Sequence, residues 1–288
     1  MKLKTLPILL CVILALASPV VASASVLYGS TASGNPGELY TLNPATGAMI
    51  ADVGPLNDAG SINYPITGLA FNPINGVLYG STGNSDPLVA AKLVTINPAN
   101  ALVTVIGDFN VAGGGAGATM ADLAFDSAGN LFGVGSKGGP QLYSISLATG
   151  QATLVGAGTG LTSTSGGGLA ISQAGTIYGT PTSSRFGTYD PTFGTYANIA
   201  NPAKPAGGGA YAALDFDGGT LYGLNSGPGS PPPTHLVTID QNGVVTDIGL
   251  SVPALDAIAF LQVPEPGTIS LFCGALALGW FVRARRRK

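Results

Sequence analysis

Three carboxylates are the residues of this chain best suited to chemistry. Asp122 stands in Met120-Ala121-Asp122-Leu123-Ala124-Phe125, Asp215 in Ala212-Ala213-Leu214-Asp215-Phe216, and Asp256 precedes Ala257-Ile258-Ala259-Phe260. Related segments elsewhere carry Gly or Ala where Asp122 stands, so its carboxyl departs from the local pattern. Two carboxyl groups about 5–10 Å apart can split a glycosidic bond, one as acid and the other as base or nucleophile. Yet Asp122 and Asp215 occupy different registers of their segments, so they need not point the same way. No catalytic residue is therefore expected, and the chain reads as non-enzymatic.

Other motifs are weaker. His235, the single histidine, begins a strand-like run, where a packed or hydrogen-bonded ring is commoner than a metal ligand. Asp215-Phe216-Asp217-Gly218-Gly219 looks faintly like a calcium loop, but the further oxygen ligands and closing Glu are missing, and a hairpin turn explains it. Gly113-Gly114-Gly115-Ala116-Gly117 lacks the Lys-Ser/Thr and following helix of a phosphate loop. Neither metal nor cofactor is expected.

The formal net charge of −3 hides an asymmetry, because seven of the eleven Lys and Arg residues lie at the two ends. Between Ser25 and Pro264 only Lys92, Lys137, Arg185 and Lys204 remain, against thirteen Asp and Glu, a net −9. So acidic a body disfavours nucleic acid as a partner, since phosphate neutralisation needs clustered cations. Both cysteines, Cys11 and Cys273, also fall in the end segments, which leaves the body without disulfides.

These residues must be positioned by a repeating frame. Leu-Tyr-Gly or a close variant recurs with its aromatic at Tyr28, Tyr79, Phe132, Tyr178 and Tyr222, separated by 51, 53, 46 and 44 residues. That is the length of a four-stranded propeller blade. Residues 66–109 show the unit most clearly, with strands predicted at 66–71, 77–81, 92–96 and 102–106. Asn-Pro, Asp-Pro and Asp-Gly turns separate the first strand from the second and the third from the fourth. The first unit begins at its second strand, Val26, and a fifth first strand appears only at 256–260. A five-bladed β-propeller, closed by its C-terminal strand, is therefore predicted. Small residues such as Gly68, Ala70, Gly168 and Ala170 suit innermost strands with little room. A β-sandwich or open solenoid is the rival fold.

In such a ring the short turns share one face and the long, dissimilar connections the other. The long loops hold or border all four basic residues, with Tyr64, Phe109, Phe186 and Tyr211 nearby. Lys137, Arg185 and Lys204 are thus candidate ligand-binding residues for extracellular polysaccharide.

The ends read as addresses. Lys2 and Lys4, an apolar stretch over 6–17 and Ala22-Ser23-Ala24 form the three parts of a secretory signal peptide, with cleavage expected after Ala24. At the other end Val263, Pro264, Glu265 and Pro266 precede an apolar run over 269–282 and a basic tail of Arg283, Arg285, Arg286, Arg287 and Lys288. Such a run reads as a short transmembrane helix whose basic end stays cytoplasmic.

This order of motif, apolar span and Arg-rich end resembles the PEP-CTERM sorting signal of exported proteins in Gram-negative bacteria. The resemblance covers only 263–288, and Gly267-Thr268 stands where Ser-Thr is more usual. It implies that an exosortase, a membrane-embedded processing enzyme, is a partner and removes the tail. The same kind of segment also carries the label of an ice-binding C-terminal domain, which describes a shared tail and implies nothing about ice.

The expected organisation is a signal peptide at 1–24, a β-propeller at 25–262 and a sorting segment at 263–288. The expected protein is an inner-membrane-anchored precursor that ends in the cell envelope or outside the cell, binding polysaccharide or protein. A carbohydrate-active enzyme or a protein-binding scaffold is the alternative.

Overall fold

Alternating apolar and small residues, cut every few positions by Asn, Asp, Pro and Gly, favour short strands joined by hairpins. The computed structural model describes residues 25–262, apart from 33, 84–87, 112–118, 136–138 and 163–165. The expected signal helix, the sorting segment at 263–288, Lys137 and the glycine run at 113–117 lie outside the described residues. Among the described residues, no helix is long and apolar enough to cross a membrane.

The strands are β1 (Val26–Thr31), β2 (Glu38–Leu42), β3 (Met49–Pro55), β4 (Ile66–Phe71), β5 (Leu78–Thr82), β6 (Lys92–Ile96), β7 (Val103–Asp108), β8 (Met120–Phe125), β9 (Leu131–Gly135), β10 (Gln141–Ile145), β11 (Ala152–Leu154), β12 (Gly168–Ile171), β13 (Ile177–Thr180), β14 (Phe186–Tyr189), β15 (Tyr196–Ala200), β16 (Ala210–Asp217), β17 (Thr220–Ser226), β18 (Thr234–Ile239), β19 (Val245–Leu250) and β20 (Leu255–Leu261). They form five four-stranded sheets: β20-β1-β2-β3, β4 to β7, β8 to β11, β12 to β15 and β16 to β19, here blades 1 to 5. The inner strands β20, β4, β8, β12 and β16 pack against one another in that cyclic order, and β16 returns to β20. The result is an all-β five-bladed propeller. Its ring is closed as the sequence suggests, by β20 pairing with β1, with Ala259 opposite Tyr28 and Ile258 opposite Gly29.

Register explains the repeat. Leu69, Leu123, Leu169, Leu214 and Ile258 occupy one level of the inner strands, opposite Gly80, Gly133, Gly179, Gly223 and Gly29. The residues on either side of this marker press on the next blade. A Cβ at Gly68 would lie 2.6 Å from Asp122 Cα, and one at Gly168 would lie 2.7 Å from Leu214 Cγ. Inner strands this close admit few side chains.

The core is divided into five layers, one between each pair of neighbouring blades. In four of them the aromatic of Leu-Tyr-Gly meets the Phe at the end of the next inner strand. Ring centroids lie 5.5 Å apart for Tyr28–Phe71, 5.3 Å for Tyr79–Phe125, 5.8 Å for Tyr178–Phe216 and 4.8 Å for Tyr222–Phe260. Between blades 3 and 4 the corresponding residues are Phe132 and Ile171, packed in the same layer.

The turns follow side-chain chemistry. Asn43, Asn72, Asn97, Asp126, Asp190 and Asp240 each accept the backbone N–H two residues on, at 2.8–3.0 Å. Strand boundaries shift by one or two residues from the sequence reading, β5 covering 78–82 against the predicted 77–81, β7 103–108 against 102–106 and β20 255–261 against 256–260. Leu102 belongs to a turn, because its N–H donates to Asn100 and its carbonyl accepts from Asn97, so β7 begins at Val103. Asp256 lies inside β20, at a bulge between Leu255 and Ala257.

Candidate functional site

An innermost strand has one edge paired within its sheet and one edge facing the axis, where N–H groups need acceptors. Asp122 supplies them for three blades. Its Oδ1 accepts from Leu123 N–H at 2.9 Å, and its Oδ2 from Leu169 at 2.8 Å and Leu214 at 3.0 Å. Asp215 joins blade 5 to blade 1, its Oδ2 accepting from Phe260 N–H at 2.6 Å and its Oδ1 from Phe216 at 2.8 Å. Two hydroxyls extend the series. Ser30 donates to the Ile66 carbonyl at 3.1 Å, and Thr67 donates to that of Met120 at 2.8 Å. Four of the five junctions between neighbouring blades thus carry a direct side-chain bond, and blades 4 and 5 are tied through Asp122 Oδ2 of blade 3, which accepts from both.

Asp122 immediately precedes the leucine marker of its strand, and Asp215 immediately follows its own. That offset of two residues puts both on the same side of an inner strand. The register difference therefore separates them along the axis without turning them apart. Burial lifts the Asp122 carboxyl well above the ordinary carboxylate range, against the pull of its three N–H donors, and the charge of Asp215 adds to the rise. Burial likewise pushes Asp215 up to about 7, opposed by Phe260 and Phe216 and assisted by Asp217. A carboxyl near 7 suits acid–base work, but Asp122 is wholly buried and the oxygens of both are engaged by backbone.

A pH dependence follows. An acid whose folded pKa is raised keeps its proton while the unfolded chain loses its own, so stability is greatest below the unfolded value and falls as pH rises. With Asp215 near 7 and its ordinary value at 3.8, the fall spans that window. It should reach a few kcal/mol, taking about 1.4 kcal/mol per unit. Melting curves should show a more stable protein at pH 5 than at pH 8. Asp215→Asn, which keeps an acceptor oxygen, should flatten the profile; an unchanged profile in this variant would refute the assignment.

On the long-loop face Lys92 is paired, its Nζ 2.6 Å from Asp108 Oδ1. His235 Nδ1 lies 3.1 Å from both oxygens of Asp247, a satisfied histidine. Arg185 and Lys204 are partly exposed. Burial raises the Tyr196 hydroxyl, and the charge of Arg185 pulls it back. The loop carrying Lys204 is pinned from below: Tyr211 donates to the Ala203 carbonyl at 2.6 Å, and buried Asn225 accepts from Ala206 and donates to the carbonyls of Gly208 and Ala210. The aromatics expected near a ligand, Tyr64, Phe109, Phe186 and Tyr211, are at most 4% exposed. They hold the loops and offer no ring to solvent, a correction to the sequence reading that arises because each packs into a hydrophobic layer between two blades.

Asp215-Phe216-Asp217-Gly218-Gly219 is a hairpin, with Asp217 accepting from Ser25 at 2.7 Å. Among the described residues, no group of three or more His, Cys, Asp or Glu gathers as a metal site. Sequence reasoning missed a groove of about 890 Å³ on the opposite, short-turn face between blades 4 and 5, lined by Tyr178, Phe216, Gln173, Gln241 and Asn242 among others. The available signal was the shortened Gly218-Gly219 turn.

The chain is similar to a protein of unknown function from Bacteroides caccae, at 11% identity and TM-score 0.47 over 83% of this chain and 100% of the other. It is also similar to a gluconolactonase from Xanthomonas campestris, at 13% identity and TM-score 0.42 over 83% and 91%. An auxiliary nutrient binding protein from Bacteroides ovatus matches at 16% identity and TM-score 0.43 over 78% of this chain, which spans 49% of that one. No curated protein matches. Residues 31–230 match the family described as a repeat of unknown function (DUF6923), and the chain belongs to that family.

Proposed function

We propose that this propeller is the non-enzymatic body of an exported cell-envelope or extracellular-matrix protein, sorted by its C-terminal segment and binding polysaccharide through its long-loop face. The observation that carries the non-enzymatic part is the use of the axial carboxylates. Asp122 and Asp215 spend their oxygens on backbone N–H groups of three and two blades, a scaffold role that engages this pair of axial carboxylates. Support for the binding face is the partial exposure of Arg185 and Lys204 over loops pinned by buried groups. Loops already held in one conformation bind a polymer at low entropic cost.

Replacing Lys137, Arg185 and Lys204 together by alanine should lower retention on alginate about tenfold, at roughly 0.5 kcal/mol for each charge removed. Equal retention in a pull-down would eliminate the binding face. Sorting is tested by the intact mass of protein recovered from its native host. The proposed processing leaves a chain that starts at Ser25 and ends near the Val263 to Pro266 motif, with the basic tail removed. Recovery of the whole chain with both ends in place would refute it.

A further inference from the structure

We propose that the short-turn face over blades 4 and 5 binds an uncharged oligosaccharide. This site lies at the end of the ring opposite the long-loop face and does not depend on the reading given to that face. The groove of about 890 Å³ opens where two features of the ring change. Between blades 2 and 3, Ile74 of one turn leans over Gly129 of the next, so that a Cβ there would lie 2.9 Å from Ile74 Cγ1. Blade 4 has Ala174 at the matching place, two residues after the turn's first polar residue, and the facing turn of blade 5 is cut to Gly218-Gly219. No atom lies within 4 Å of a Cβ built on either glycine.

The exposed surface is amphipathic in the way a pyranose is. Tyr178 and Phe216, both partly exposed, form an aromatic floor with centroids 5.8 Å apart. Around them stand the amides of Gln173, Gln241 and Asn242 and the hydroxyls of Thr220 and Thr246, groups that both donate and accept, as sugar hydroxyls do. Among the described residues, no Lys or Arg lines the groove. Its carboxylate, Asp240, is held ionised by the N–H of Val244 and of Asn242, so an anionic polymer is repelled and an uncharged one is not.

A second hollow of about 420 Å³ lies across the same turn of blade 4, lined by Tyr196, Thr188, Thr195 and Tyr189. Tyr196, partly exposed and lining that second hollow, extends the aromatic surface enough for a chain of sugars rather than a single residue.

The test is calorimetric titration of the full chain with hexasaccharides of β-glucose, xylose and N-acetylglucosamine. At least one should bind. Ala174→Ile restores the side chain that covers the 2–3 junction, and Gly219→Trp fills the groove from a position with free space. Each should weaken binding about tenfold or more, because a built-in clash discriminates as well as a lost contact. Both should leave alginate retention unchanged, whereas the triple loop variant should leave hexasaccharide binding unchanged. Absence of binding by the parent chain, or equal binding by both groove variants, would overturn the proposal without touching the long-loop reading.

Discussion

A chain ending before Leu255 should not form the ring, whereas one ending after Gln262 should still fold, with the cooperative melting of an intact propeller. The first deletion removes β20, in which Leu255, Ile258 and Phe260 are at most 3% exposed. Burying a side chain of that size contributes about 1.5–3 kcal/mol, so the three together supply roughly 5–9 kcal/mol. That is comparable to the whole stability of a typical domain, about 5–15 kcal/mol. The loss also exposes an edge of β1 and takes from β4 and β16 the strand between them. Size-exclusion chromatography and thermal unfolding decide the matter. A cooperative transition in the shorter chain would show that the ring does not need its closing strand.

Asp122→Ala should be the most damaging single substitution on the axis. It leaves the N–H groups of Leu123, Leu169 and Leu214 without their acceptor. Each unmet buried donor costs about 1–3 kcal/mol. Against this stands the relief of removing a carboxyl that burial disfavours, visible in its raised pKa. A net loss of about 3 kcal/mol is expected, because removing one partner from a buried network leaves the others uncompensated. For a domain of this size that lowers Tm by roughly 6–12 °C. Asp122→Asn should recover part of the loss, since one amide oxygen can still accept from Leu169 and Leu214 while its NH2 meets the Leu123 N–H donor to donor. If the alanine variant melts with the parent chain, Asp122 is not the tie between blades 3, 4 and 5.

Much of the frame was legible because each blade solves the same packing problem with nearly the same residues. The Leu-Tyr-Gly period marked the second strand, and the small residues at Gly68, Ala70, Gly168 and Ala170 marked the first. The displaced β20 could be read from a missing strand at one end and a surplus strand at the other. Boundaries were less legible. Leu102 looks like a strand residue by its side chain, but the Asn97 and Asn100 bonds place it in the turn.

What the linear chain determined by itself is the repeat, the all-β class, the number of blades and the way the ring closes. These depend on short-range alternation and turn chemistry, which are written within each unit. Only the tertiary structure decided the use of Asp122 and Asp215, the burial of Tyr64, Phe109, Phe186 and Tyr211, and the opening of a groove beside Ala174. Each of those depends on atoms brought from different blades: Asp122 meets Leu214, 92 positions away, and Asp215 meets Phe260, 45 positions away. No local pattern encodes such distances, because the curvature of the ring, set by how closely inner strands approach, chooses which backbone groups a side chain can reach.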